Sequence, residues 1–219
     1  MINREEFIKS IKTKAICVGV TKNRNIDEIE ALYKDGVRIF GENRVQELLL
    51  KCKPNQPWEW HFIGYLQKNK VSKVIQHCTM IQTVDSIELL EVINKHLVKA
   101  NLSIDILIQI NTLNEPTKHG CKIQDITTLV EYTLKTDNIN LRGFMVMGPT
   151  NQNIEETRMA FKLGFEIYSQ YKKTHPTIDT LSMGMSFDYK LAIECGATMV
   201  RLGSILFEER PSTINNYPI

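Results

Sequence analysis

Residues 180–204 read TLSMGMSFDYKLAIECGATMVRLGS. The apolar run from Thr180 to Met185 has strand character, FDYKLAIEC has helix character, and Met199 to Ser204 is a second strand-like run. Six runs of the same kind precede them: Ala15 to Thr21, Val37 to Gly41, Trp58 to Gly64, Met80 to Asp85, Ile104 to Asn111, and Leu141 to Met147. Several are apolar on both alternating faces, which suits a parallel sheet covered on both sides. Eight strands, each followed by a helix, predict an α/β fold of the (β/α)8 TIM-barrel type, for which about 200 residues is the lower size limit. An open doubly wound sheet is the alternative. No Gly-x-Gly-x-x-Gly follows the first strand, which excludes only the dinucleotide-binding version of that sheet.

The intervening segments carry apolar residues at three- and four-residue steps: Ile26, Ile29, Leu32 and Tyr33; Val45, Leu48, Leu49 and Cys52; Ile123, Ile126, Leu129, Val130 and Leu134. Each spacing gives a helix one apolar face to lay on a sheet. Asn25 with Glu28 and Asp85 with Glu88 have the form of N-terminal capping pairs, while Gly36 and Gly196 stand where a helix end takes a left-handed residue.

A chain of 219 residues with no low-complexity stretch or Pro/Gly-rich linker predicts one domain over 1–219, with the barrel spanning about 15–210 and a polar tail over 211–219. A formal charge of +2 with both signs interspersed offers no field for nucleic acid or an anionic membrane, so an anionic ligand needs a local site. The five cysteines are scattered, with no Cys-x-x-Cys pair, and read as reduced core thiols. The charged opening MINREEFIKSIKTK lacks a secretory apolar stretch, and no segment approaches the ~20 apolar residues of a membrane span. A reducing cytoplasm is the expected setting.

In such barrels the chemistry sits just past the C-terminal ends of the strands. Lys22 stands there in CVGVTKN, either as an amine poised to attack an aldehyde or as a solvated lysine paired with a loop carboxylate. The loops after strands seven and eight are the usual phosphate site, and here Ser186 and Gly203-Ser204 follow those strands at what read as helix starts. For Ser186 an ordinary N-cap is the competing role. Arg201 interrupts the apolar run MVRLGS and needs an acceptor, which could be a carboxylate in an ion pair or a heterocyclic nitrogen. Asn43 closes strand two as a helix cap or a ligand contact, and His61 reads as a hydrogen-bonded barrel residue rather than a base. No zinc spacing, nucleophile elbow or Gly-x-x-x-x-Gly-Lys loop is present, so the metal expectation is none.

The runs VTKN, GVRIFGENRVQE, WEWHFIGYLQKNKV, ILIQINTLNEPTKHGC and LSMGMSFDYKLAIECGATMVRLGSILFEER, in that order from about Ala15 to Arg210, resemble the YggS/PROSC family of pyridoxal phosphate homeostasis proteins. The resemblance implies a barrel like the N-terminal domain of alanine racemase (fold type III), with pyridoxal 5′-phosphate held as a Schiff base. Carried over by motif, Lys22 is the cofactor lysine and Arg201 faces the pyridine nitrogen. Ser186, Gly203 and Ser204 form the phosphate cradle, and Asn43 takes the ligand-facing place after strand two. The chain departs from the family at Asn25, where a proline is usual, and at Tyr65 and Cys121, and its N-terminal helix is short. Replacing the proline is expected to leave the loop after strand one less rigid.

The expected function is to hold pyridoxal phosphate in the service of its homeostasis, with no catalytic residue assigned. Pyridoxal phosphate-dependent apo-enzymes are the candidate recipients. A racemase of this fold needs acid/base groups on both faces of the substrate carbanion, a lysine and a tyrosine from a second, β domain. The chain ends at Ile219, and Tyr217 is its only late tyrosine. A slow amino acid racemase of alanine-racemase type is the alternative, and a Schiff-base aldolase acting on a sugar phosphate is a third.

Overall fold

The structure is a computed structural model and describes residues 3–207. The expected end of the barrel near Arg210, the tail over 211–219 and Tyr217 lie outside the described residues. Eight strands run β1 (Ile16–Val20), β2 (Ile39–Glu42), β3 (Glu59–Phe62), β4 (Met80–Val84), β5 (Ile104–Ile110), β6 (Ile139–Val146), β7 (Thr180–Ser182) and β8 (Met199–Leu202). All neighbours are parallel and β8 pairs with β1, with Gly19 opposite Leu202, so the sheet closes into a barrel. The open-sheet alternative is thereby excluded.

Helix α1 (Arg4–Lys12) precedes β1. The others follow the first seven strands: α2 (Ile26–Lys34), α3 (Val45–Lys51), α4 (Val71–Val74), α5 (Ile87–Ala100), α6 (Ile126–Leu134), α7 (Ile154–Thr174) and α8 (Tyr189–Glu194). After β8 the described residues form a turn and no helix, which corrects the expectation of a helix start at Ser204. None of the described helices is long and apolar enough to cross a membrane.

The helix faces follow the apolar spacing at their centres and depart from it at their ends. Ile29, Leu32, Val45, Leu48, Ile126, Leu129 and Val130 are buried, whereas Leu49, Ile123 and Leu134 are exposed. Helix ends point the same way. Asn25 and Glu28 form the expected reciprocal capping box, but α5 is capped by the Ser86 hydroxyl, which accepts from the Leu89 N–H, and not by the pair Asp85 and Glu88. Gly36 and Gly196 adopt the expected left-handed backbone. All five thiols are free, and burial pushes those of Cys17 and Cys121 up to about 12.

The barrel interior is stratified. Val18, Met80, Leu107, Met145 and Met199 meet in an apolar plug. Because side chains two apart share a strand face, Gln82, Gln109 and Arg201 stand one layer nearer the C-terminal ends. Polar groups thus floor the mouth, and an apolar plug lies underneath them.

Candidate functional site

Four consecutive strands, β7, β8, β1 and β2, carry the residues expected from the sequence to contact a ligand, and His61 stands on β3. Lys22 lies two positions beyond β1 in an exposed turn. Gly203 follows β8 beside Val20, whose Cβ lies 3.5 Å from where a Gly203 side chain would begin. The Arg24 guanidinium stacks over the Phe207 ring at 4.5 Å and ties the loop after β1 to the loop after β8. Lys22 and the Gly203-Ser204 backbone therefore share one rim of the barrel.

The loops after β7 and β8 converge on a single oxygen. Ser186 Oγ accepts from the Gly203 N–H at 3.0 Å and from the Ile205 N–H at 3.4 Å. Ser186 is not the N-cap of α8; that position is Asp188, whose Oδ1 accepts from the Met185 N–H. Ser204 is exposed in the turn, and its neighbour Ile205 supplies the second donor, a contribution invisible in the side-chain sequence because it comes from backbone.

Arg201 is buried, and the structure corrects the ion-pair reading: no carboxylate pairs with it among the described residues. Its NH1 donates to Ser182 Oγ at 2.7 Å and its NH2 to the Val146 carbonyl at 3.2 Å. Burial lowers its pKa to about 10, against a small opposing pull from Asp188, so it remains a cation at neutral pH. A guanidinium only donates, so Ser182 is left to donate to Gln82 Oε1 at 2.7 Å. Gln82 Nε2 then faces His61 Nδ1 at 3.0 Å, which makes Nδ1 the acceptor and puts the imidazole proton on Nε2. The chain Arg201, Ser182, Gln82, His61 crosses the barrel at its middle link, from β7 to β4, while its outer links join neighbouring strands. His61 is the hydrogen-bonded barrel residue expected of it, and burial drives its pKa down to about 3, so it stays neutral.

Asn43 does not cap α3, since the N-cap is Arg44. Its Oδ1 is buried without a hydrogen-bond partner, although its N–H donates to Glu42 Oε2 at 3.0 Å. Gly64 makes room for it: a Cβ there would sit 2.1 Å from the Asn43 carbonyl oxygen. A buried acceptor with nothing to accept is uncommon in folded proteins and marks a place where a ligand can complete the pairing.

Sequence reasoning missed one cluster. The carboxylates near Lys22 are engaged by another lysine: Lys51 Nζ meets Glu42 Oε1 at 2.5 Å and Glu47 Oε2 at 2.9 Å. Lys22 itself has no ion-pair partner among the described residues. The available signals were the buried-run glutamate at the end of β2 and the four-residue spacing of Glu47 and Lys51 on α3. Of the positions expected to depart from the family pattern, Asn25 makes two capping hydrogen bonds, which anchor the loop without a proline's fixed φ. Tyr65 is exposed and stacks on His119 with ring centroids 4.1 Å apart. Cys121 is buried.

Comparison with known proteins follows this geometry. The model of the alanine racemase N-terminal domain matches residues 4–211. A pyridoxal phosphate homeostasis protein of Aquifex aeolicus is 38% identical over 196 residues, covering 88% of this chain and 86% of its own length. That of Haemophilus influenzae is 37% identical, with coverages of 88% and 84%. PipY of Synechococcus elongatus, solved with PLP bound, aligns with a TM-score of 0.84 at 29% identity over 94% of this chain and all of its own. An alanine racemase of Clostridium difficile shares the fold, with a TM-score of 0.78 at 18% identity over 96% of this chain and 58% of its own. The chain belongs to the pyridoxal phosphate homeostasis protein family, built on the alanine racemase N-terminal domain.

Proposed function

We propose that this protein binds pyridoxal 5′-phosphate and serves its homeostasis, holding the cofactor on Lys22 without catalytic turnover. The observation that carries the reading is the shared rim: a lysine beyond β1 with no ion-pair partner among the described residues, and two backbone N–H groups on the adjacent β8 loop. When bound, pyridoxal phosphate would supply an aldehyde, with which the Lys22 amine could condense with loss of water.

The residues present fit that group. The Gly203 and Ile205 N–H groups, which now donate to Ser186 Oγ, would hold a phosphate by exchanging that oxygen for the anion's, with the Ser186 hydroxyl and Ser204 beside it. Arg201 donates only, so it would meet the pyridine nitrogen through its lone pair and leave that nitrogen without a proton. Asn43, with its unpartnered Oδ1, would contact the ring substituents. The relatives named above support homeostasis over turnover, and apo-enzymes that require the cofactor are the recipients in this reading. A reducing cytoplasm, which keeps the five thiols free, is its setting.

An absorption spectrum tests the proposal. The purified protein titrated with pyridoxal phosphate is expected to develop a visible band, and borohydride is expected to fix one cofactor mass on the peptide containing Lys22. Lys22→Ala is expected to show neither. A fixed adduct elsewhere, with Lys22 unmodified, would overturn the site. Sustained exchange of the α-proton of alanine in heavy water, approaching the ~10 per second median of enzymes, would replace holding with racemisation.

A further inference from the structure

The turn that carries Lys22 is tied down on both sides. The carbonyl of Thr21, immediately before it, accepts from Lys51 Nζ at 2.7 Å. The N–H of Asn23, immediately after it, donates to Glu47 Oε2 at 2.8 Å, and Asn23 holds a left-handed backbone at φ 58°. Lys51 Nζ has three N–H groups and three acceptors, Thr21 O, Glu42 Oε1 and Glu47 Oε2. Glu42 is fully buried and also accepts from the Thr21 hydroxyl at 2.7 Å and the Asn43 N–H at 3.0 Å. The same carboxylate thus joins the turn bearing Lys22 to the residue with the orphaned amide oxygen.

Net stability is a poor reason for such a cluster. Taking an ammonium and a carboxylate out of water costs several kcal/mol each, so apolar groups of similar size often serve the fold equally well. Burial alone would raise the Glu47 carboxyl, but Lys51, the Asn23 N–H and Arg44 outweigh it and hold the group below its usual range. A carboxylate held in this way can fix backbone with charge-assisted hydrogen bonds, which are about twice as strong as neutral ones.

We propose that Glu42, Glu47 and Lys51 are positioning residues for Lys22, locking the Thr21–Asn23 turn so that its amine meets a bound aldehyde. The inference rests on the function proposed above. It assigns to three residues, none of them expected to touch the cofactor, the geometry of the one that does.

Two measurements on the same variants test it. The first needs no cofactor: amide hydrogen exchange at Asn23 is expected to quicken in Glu47→Ala and Lys51→Met and to return toward the wild-type rate in Lys51→Arg. The second compares the rate of borohydride-trapped capture of pyridoxal phosphate with the affinity for 4-deoxypyridoxine 5′-phosphate, which lacks the aldehyde. Capture is expected to slow on the order of tenfold, as misplaced reacting groups do. Affinity for the analogue should not change. Glu47→Ala keeps the buried Glu42–Lys51 pair and carries the test if Lys51→Met fails to fold. Capture at the wild-type rate in the folded variants would overturn the inference, as would a loss of analogue affinity in proportion to the loss of capture. A wild-type protein that captures no cofactor at Lys22 would defeat the proposed function itself.

Discussion

Ser182 has a single hydroxyl hydrogen, and the cross-barrel chain uses both that donor and the oxygen behind it. Ser182→Ala would strand a donor of Arg201 and the acceptor of Gln82, both buried, at a cost of about 1–3 kcal/mol for each stranded group. Urea denaturation should show the loss as a lowered midpoint, and an unchanged midpoint would mean that the two groups find other partners. Gly64 is a different kind of constraint, because what lies in the way of a larger residue is backbone. A methyl at Gly64 must push Asn43 aside, and Gly64→Ala is expected to cost about 1–3 kcal/mol as overpacking does. The same variant should weaken cofactor binding, because the orphaned Asn43 Oδ1 moves with its backbone. Titration with pyridoxal phosphate separates that effect from stability.

Helix ends show how finely local structure is decided. The loop from Lys22 into α2 has no proline, and Asn25 caps the helix through its side chain and donates its own N–H to the Glu28 carboxylate. A proline has no N–H to give, so each solution excludes half of the other. Asn25→Ala is expected to cost about 1 kcal/mol of stability, within the 0.5–2 range for lost N-caps, measurable by denaturation. The capping pair at Asn25 was legible in the sequence, whereas the pair read at Asp85 does not form, because Ser86 takes the cap one position later and its hydroxyl accepts from the N–H of Leu89. Apolar spacing located the faces of α2, α3 and α6 through their central residues. It misjudged Leu49, Ile123 and Leu134, where the spacing continues past the part of the helix that touches the sheet.

The barrel as a whole was legible because parallel, doubly covered strands announce themselves locally, and closure of β8 on β1 then brings Lys22 and Gly203 to one rim. What crosses the barrel left no such trace: Gln82 and Ser182 are bonded across 100 residues of sequence, and no periodicity encodes which inward side chains meet. The far end of that chain makes the stability of the molecule depend on pH. His61 is buried, and burial alone lowers its pKa from 6.5 to about 3. Between those values the unfolded chain binds a proton at this residue and the folded chain does not, so stability rises with pH across the window and is lost as pH falls from 6.5 toward 3. The slope from one such group approaches about 1.4 kcal/mol per pH unit within the window. His61→Asn keeps an acceptor for Gln82 but cannot take up a proton, so its stability should vary less between about pH 7.5 and about pH 5.5. Urea unfolding of both proteins at the two pH values measures the difference. Equal slopes would mean that His61 gains a proton without unfolding, and that the floor beneath Arg201 is open to water.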